Sequence, residues 1–316
     1  MLAADLGAPG DEDAYARLLS TLPPGAGAGA IEVAAQLWRL PVVAYRGRPA
    51  GATRPPLAPA RPARTDRAFG AGIDASPLAG VRVLDLTAMW AGPLATWLLA
   101  TFGAEVTKVE SAVRPDGMRG QPALFAALDR GKTHVDLDLR HAAAVDELRE
   151  RIAVADVVVD SFSPRVMPNL GLDPSALRRL QPDLVSVSIP AFPPGSPQQQ
   201  WVSYGTGVHA FCGLGDLGGG RYAAPAVAYP DPLAGLAGFG AVLHALVAAG
   251  RSDASGAHVD VSLVDAAAPL AQVAGPAGLA RPVEPVAEDL VLRLAGRGFF
   301  DAAGLPAAPL VAGGLR

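Results

Sequence analysis

The chain has 316 residues, half of them apolar and 18% charged, a formal net charge of -4 and a single cysteine. This composition supports a packed core and excludes wholesale disorder, a disulfide framework and a cysteine-rich zinc site. The acidic balance also lacks the basic face that a nucleic-acid partner requires.

The opening MLAADLGAPGDED carries early acids and no basic n-region, unlike a signal peptide, and a reducing cytoplasmic setting is expected. Residues 1–46 hold one helix and one strand. In IEVAAQLWRL, Ile31, Val33, Ala34, Leu37 and Leu40 share a helical face, Pro41 stops the helix, and VVAY follows as a strand. Residues 47–76 turn to proline, alanine, glycine and arginine and read as a stiff linker. Its arginines are either a solvated tether or an anion-binding arm.

Residues 77–271 have a different texture. GVRVLDL is a buried strand. AGPLATWLLATFG is a helix, with Pro93 in its first turn and Gly103 at its end. EVTKVE and HVDLDL are strands, and HAAAVDELRERIAVA is a helix that buries Val145, Leu148 and Ile152. DVVVDSF, PSALRRL and LVSVSI read as strand, helix and strand. PLAGLAGFGAVLHALVAA is a long helix, too short and glycine-rich in its apolar run for a membrane span. HVDVSLVDAAAPL is a strand running into a helix, and 272–316 is a shortened C-terminal segment. The alternation predicts an α/β fold, a Rossmann-like parallel sheet with helices on both faces. Ligands of such sheets lie outside the carboxyl ends of the strands. Those ends fall at Leu86–Trp90, Glu110, Leu139–Arg140, Ser161–Phe162 and Ile189–Pro190.

Gly213-Leu-Gly215-Asp-Leu-Gly218 has the spacing of a dinucleotide fingerprint, but no strand leads in and no helix opens on it. Gly205-Thr-Gly207-Val-His-Ala210 also lacks a clear strand ahead. Redox chemistry is therefore set aside. Asp231 stands between Pro230 and Pro232 at the entrance of the long helix. It is either an ordinary helix cap or a carboxylate nucleophile. The five histidines show no metal-ligand spacing, and His209 lines a pocket or sits satisfied in the core.

The series PLAGVRVLDLTAMWAGP, GAEVTKVE, RGKTHVDLDLR, ADVVVDSFSPRVMPNLGLD, PDPLAGLAGFGAVLHAL and GAHVDVSLVDAA resembles the class III CoA-transferase family, in the family's order. That family includes formyl-CoA transferase, carnitine CoA-transferase and α-methylacyl-CoA racemase. The resemblance implies a CoA thioester as substrate, no tightly bound cofactor or metal, and a small carboxylic acid as acceptor. It places Asp231 on the family's nucleophile, which passes through acyl-aspartyl anhydride and aspartyl-CoA thioester intermediates. It implies CoA or substrate contacts at Met89, Trp90, Ala91, Leu137, Arg140, Ser161, Phe162, Asn169, Tyr204, Gly213 and Gly215. Asn169 replaces an arginine of many relatives, Ser161 an asparagine, and Ser111 and Trp90 an arginine and a glutamine of formyl-CoA transferase. Formate and oxalate are therefore not implied as substrates. Tyr204 stands where racemases of the family carry a histidine, and a phenol with a pKa near 10 is a poor base at neutral pH. Ile31–Arg46 and stretches within Leu294–Arg316 resemble parts of the family's small domain, leaving an incomplete remnant formed by the two ends of the chain. Three readings follow: a CoA-transferase, a non-catalytic CoA-binding or partner subunit, and an acyl-CoA isomerase or racemase. A homodimer or a complementary subunit is implied, with no nucleic acid and no membrane.

Overall fold

A computed structural model describes residues 2–4, 25–37, 39–45, 76–215, 227–249 and 256–273. The expected linker (47–76, apart from Ser76), the glycines from Gly218 to Gly220 and the C-terminal segment beyond Val273 lie outside the described residues. In chain order the elements begin with β1 (Leu2–Ala4), α1 (Ala28–Leu37) and β2 (Val42–Ala44). The core follows with β3 (Arg82–Leu86), α2 (Ala91–Thr101), β4 (Glu105–Glu110), a 3₁₀ turn (Gly117–Gly120), α3 (Pro122–Asp129) and β5 (Lys132–Asp136). It continues with α4 (Ala142–Ala153), β6 (Val157–Asp160), α5 (Val166–Asn169), α6 (Pro174–Leu180) and β7 (Val185–Ser188). Last come α7 (Gly205–Phe211), α8 (Pro230–Ala249), β8 (His258–Asp260) and α9 (Leu263–Val273).

Six strands pair in the order β5-β4-β3-β6-β7-β8, and every pairing is parallel. Counted within this sheet the order is 3-2-1-4-5-6, the doubly wound arrangement. Its topological switch point lies between β3 and β6. One face carries Val83, Val106, Val157, Val159, Val185 and Val187, buried under α2, α8 and α9. The other carries Leu84, Leu86 and Val158, buried under Leu148 and Ile152 of α4 and Leu177 of α6. Burying a side chain such as Leu148 stabilises the fold by roughly 1.5–3 kcal/mol.

Two expectations are corrected. HVDLDL was expected to form one strand, but β5 is Lys132–Asp136 and Leu137 follows it as a core residue. The α1 face is inverted. Val33 and Leu37 are exposed, whereas Glu32 and Gln36 are buried. The reason is the neighbour α1 packs on. Glu32 Oε1 accepts from the Ala44 N–H (2.7 Å), and Gln36 Nε2 donates to the Val42 carbonyl (3.1 Å). Gln36 also bonds both backbone groups of Val202, at 2.9 and 2.7 Å. Backbone groups left over by short strand β2 thus recruit polar side chains into the interior, because a buried unpaired group costs more than the polar residue does. Through Gln36 the segment 25–45 is tied to the core domain.

Candidate active site

The two helices that follow β3 and precede β8 run side by side from the same rim. A Cβ on Gly235 of α8 would lie 2.7 Å from the Ala91 carbonyl of α2, and one on Gly238 would lie 3.6 Å from Ala95 Cβ. Further along, the Phe102 and Phe239 rings stack at 5.4 Å. α2 and α8 are therefore parallel, and both N-termini lie at the carboxyl end of the sheet. Asp231, one turn before Gly235, sits at that rim in the first turn of α8.

Asp231 is half-buried and lies inside the first turn of α8. The first i−4 bond of α8 runs from the Leu233 N–H to the Tyr229 carbonyl (3.2 Å), so Tyr229 holds the cap position. The Asp231 carboxylate abuts the start of α7. A Cβ at Gly205 would lie only 1.6 Å from Asp231 Oδ2, so glycine is the one residue that admits this approach. The positive ends of two helices thus flank one carboxylate. Tyr204, at the cap of α7, is its sequence neighbour in the crevice and is 36% exposed.

The loop after β3 forms the facing wall. Met89 has φ +69°, a left-handed conformation unusual for a side-chain-bearing residue, and its N–H donates to Asp116 Oδ1 (2.9 Å). Trp90 caps α2, with its carbonyl accepting from the Leu94 N–H (2.9 Å). Ser161 Oγ, after β6, accepts from the Ala88 N–H (3.0 Å) and so bridges the two strand ends at the switch point. Phe162 donates its N–H to Asp160 Oδ1 (3.2 Å). Met89, Trp90, Ala91, Ser161 and Phe162 are therefore gathered where the topology places a ligand.

Beneath this loop lies a buried charge network that sequence reasoning missed. Asp85 is fully buried and accepts from Lys132 Nζ (2.9 Å), Thr96 Oγ1 (2.7 Å), Thr87 Oγ1 (2.5 Å) and Thr87 N (2.9 Å). Burial alone would raise its carboxyl, but Lys132, Lys108 and the two hydroxyls outweigh burial and hold it well below the usual carboxylate range. Lys108 Nζ donates to the Thr87 carbonyl (2.7 Å) and Asp116 Oδ2 (3.1 Å). Its pKa is raised, because Asp85 and Asp116 overcome the opposing effect of burial. Gly92 lets α2 close on Thr87, since a Cβ there would lie 2.3 Å from Thr87 Cβ. The available signal was a charge inside an otherwise apolar strand, as in VLDL and VTKVE.

Other sequence-derived positions fall elsewhere. Leu137 is 5% exposed in the core, and its N–H donates to the Glu110 carbonyl (2.9 Å). Arg140 is exposed and held by Asp138, with Nη2 to Oδ2 at 2.6 Å and Nε to Oδ1 at 2.8 Å. Asn169 ends α5 on the surface. Gly213, at φ +70°, terminates α7: its N–H donates to the Ala210 carbonyl and Leu214 N to the His209 carbonyl, each at 3.1 Å. Gly215 is buried behind it. His209 is buried, and burial lowers its pKa.

A cavity of about 210 Å³ lies past β6, β7 and β8 and shares Phe162 with the switch-point rim. Asp160, Ser188 and Asp260 are cross-strand partners in one row along its floor, with His258 beside them. Phe162, Met167 and Phe192 supply apolar walls. Ser188 Oγ donates to Asp160 Oδ2 (2.5 Å), and burial pushes the Asp160 carboxyl up to about 6. Among the described residues no group of three or more His, Cys, Asp or Glu could hold a metal ion.

Sheet order and switch-point crevice define a doubly wound α/β protein, with the Asp231 carboxylate beside the start of α7 at the rim of the strand ends. Residues 78–303 match CoA-transferase family III, and the chain belongs to that family. It is 32% identical over 207 residues to an acyl-CoA transferase of Fusarium pseudograminearum, covering 60% of this chain and 45% of that protein. To the succinate–glutarate CoA-transferase of Agrobacterium fabrum it is 32% identical over 206 residues, 60% of this chain and 51% of the relative. A solved CaiB/BaiF family protein from Brucella suis aligns with a TM-score of 0.60 at 30% identity, covering 66% of this chain and 58% of that one. A hypothetical protein of Mycobacterium tuberculosis aligns with a TM-score of 0.59 at 32% identity, covering 63% and 58%. The chain spans about half the length of the curated relatives it matches.

Proposed function

We propose that the chain moves CoA between an acyl-CoA donor and a carboxylic acid acceptor, with Asp231 as nucleophile. The observation that carries this reading is the seating of Asp231 Oδ2 against Gly205 at the rim of the switch-point crevice. The carboxylate attacks the thioester carbonyl carbon, the C–S bond breaks, and an acyl-aspartyl anhydride and a CoA thiolate result. The thiolate attacks the Asp231 carboxyl carbon, which expels the donor acid as a carboxylate and leaves an aspartyl-CoA thioester. The acceptor carboxylate reverses the sequence and leaves with CoA, regenerating Asp231. Covalent catalysis splits one difficult exchange into easier steps. The N-termini of α7 and α8 supply partial positive charge where oxyanions develop. Both reactants carry the reacting groups, so the scheme calls on no metal and no resident cofactor.

The names of relatives support the substrate class: an acyl-CoA transferase and succinate–glutarate CoA-transferases. We infer a homodimer or a complementary subunit, supported by a relative that is named an alpha subunit. We infer a cytoplasmic location, supported by the one cysteine, Cys212, which is free and buried. The relative named an alpha subunit favours a second reading, a CoA-binding or partner subunit without turnover. Mass measurement of the intact chain after incubation with acyl-CoA, followed by hydroxylamine trapping, separates the two. An adduct lost in Asp231→Asn supports the transferase. CoA binding with no adduct under any donor supports the partner subunit.

A further inference from the structure

Four helices in the described residues end in the same hydrogen-bonded motif, in which the residue past the cap adopts a left-handed conformation. In three the left-handed residue is glycine: Gly103 (φ +97°), Gly171 (φ +67°) and Gly213 (φ +70°). At the end of α1 it is Arg39, at φ +60°. The bonds there are Arg39 N to the Gln36 carbonyl (3.2 Å) and Leu40 N to the Ala35 carbonyl (2.9 Å). A side-chain-bearing residue in this conformation costs about 1 kcal/mol relative to glycine. The fold thus tolerates a less stable residue at this one helix end, and the guanidinium is what it gains.

That guanidinium donates through Nη1 to the Gln200 carbonyl (2.5 Å). Arg165, which caps α5 in the loop after switch-point strand β6, donates through Nε to Oε1 of the same Gln200 (3.2 Å). Among the described residues, neither arginine has a carboxylate within ion-pair distance. Burial and then the like charge of Arg165 lower the Arg39 pKa. Gln200 lines the cavity past β6, so both cations hold a residue of its wall.

We propose that Arg39 and Arg165 form a phosphate-ester site, one arginine supplied by the N-terminal segment and the other by the core. Two guanidiniums match the double negative charge of a phosphoryl group, and their planar forks match its oxygens. Gln200 spaces the two cations, and the adjoining cavity has room for the rest of the ligand. Naming the ligand as the nucleotide end of CoA rests on the transferase reading; the phosphate chemistry does not.

The test uses the full chain and titration calorimetry with CoA, dephospho-CoA lacking the 3′-phosphate, and inorganic phosphate. Wild type, Arg39→Gly, Arg165→Ala and the double variant are compared. Arg39→Gly gives the helix end its better residue while losing the Gln200 contact, so its melting temperature stays near that of wild type. Its phosphate affinity falls about tenfold, the loss expected for one charge-assisted contact. A preference for CoA over dephospho-CoA, abolished in the double variant, assigns the site to CoA. Arginine-dependent binding of inorganic phosphate with no CoA binding keeps the site and sinks the transferase reading. CoA and phosphate affinities unchanged in a folded double variant overturn the site and leave the transferase reading standing.

Discussion

Gly205 has no room for a side chain, because the Asp231 carboxylate fills the space a Cβ would take. Gly205→Ala therefore pushes the carboxylate off its seat by on the order of 1 Å, since the 1.6 Å separation must open to ordinary contact. A misplacement on the order of 1 Å at a reacting atom costs about 100-fold in rate. We expect that loss in kcat for acyl transfer, with CoA affinity unchanged. A variant with near-native turnover would show that the observed seat is not the reactive one. Asp160 offers an independent residue-scale test, through stability. Its folded-state pKa is raised to about 6 by burial, so the native state holds this proton more tightly than the unfolded chain does. Stability attributable to this group is full below the unfolded carboxyl pKa, falls as pH rises to about 6, and stays lower above that. The span corresponds to about 3 kcal/mol. Asp160→Asn keeps both contacts, since the amide oxygen still accepts from Phe162 N and the amide nitrogen donates to Ser188 Oγ. Urea unfolding at pH 4 and at pH 7 should find the variant gaining on wild type by about 2 kcal/mol, most of that span, because at pH 4 the unfolded carboxyl is already partly ionised. A pH-independent difference would remove Asp160 from the account.

At the scale of elements, hydrophobic periodicity worked where a helix meets an apolar sheet face and failed where it meets a strand edge. α4 buries Val145, Leu148 and Ile152, as its spacing requires. α1 has an equally clear apolar stripe yet leaves its Val33 and Leu37 exposed, because Glu32 and Gln36 turn inward to satisfy backbone groups of residues 42–44 and 202. Nothing local in the sequence announces that such groups will lie beside it. α7 escaped notice for a related reason: two glycines in its seven residues, Gly205 and Gly207, argue against a helix. Tertiary contacts require both, since a Cβ on Gly207 would meet Ser203 Oγ at 2.3 Å and Val43 Cγ2 at 2.8 Å. The inversion of α1 has a measurable consequence. Gln36→Leu restores the apparent amphipathic pattern, yet strands buried backbone groups at Val42 and Val202, at about 1–3 kcal/mol for each group left unpaired. Hydrogen exchange should then speed up in residues 25–45 while the amides of β3 and β6 stay protected. Unchanged exchange in 25–45 would mean that Gln36 does not hold this segment to the core.

Across the whole molecule, the strand order gathers the loop after β3, the loop after β6 and the start of α8 at one rim, and this much was legible from alternation and apolar runs. The device that shapes the rim was not legible, because its parts come from three strands and a turn: Asp85, Lys108, Lys132 and Asp116. Each charge looks anomalous alone, and only the register Asp85↔Lys108, with Val106↔Lys132 beside it, brings them together on one face. The network stabilises a particular loop shape more than the fold at large, because buried ion pairs rarely outperform apolar residues in net stability. That difference can be measured. Asp116→Ala takes from buried Lys108 its ion-pair partner and should cost about 3–5 kcal/mol. Lys108→Met with Asp116→Asn removes both charges but keeps an amide oxygen for the Met89 and Met118 N–H groups. Most of the stability should return, with CoA affinity within about threefold of wild type, a difference of under 1 kcal/mol. Lys108→Met with Asp116→Leu also removes both charges and takes that acceptor away. The sheet should still fold, but Met89 is released from its left-handed conformation, and CoA binding should weaken by more than about tenfold, a loss above 1.4 kcal/mol. The comparison turns on the two double variants, which differ in the acceptor at 116 and not in buried charge. If they bind CoA equally well, the loop is not set by Asp116, and the network is a feature of the core alone.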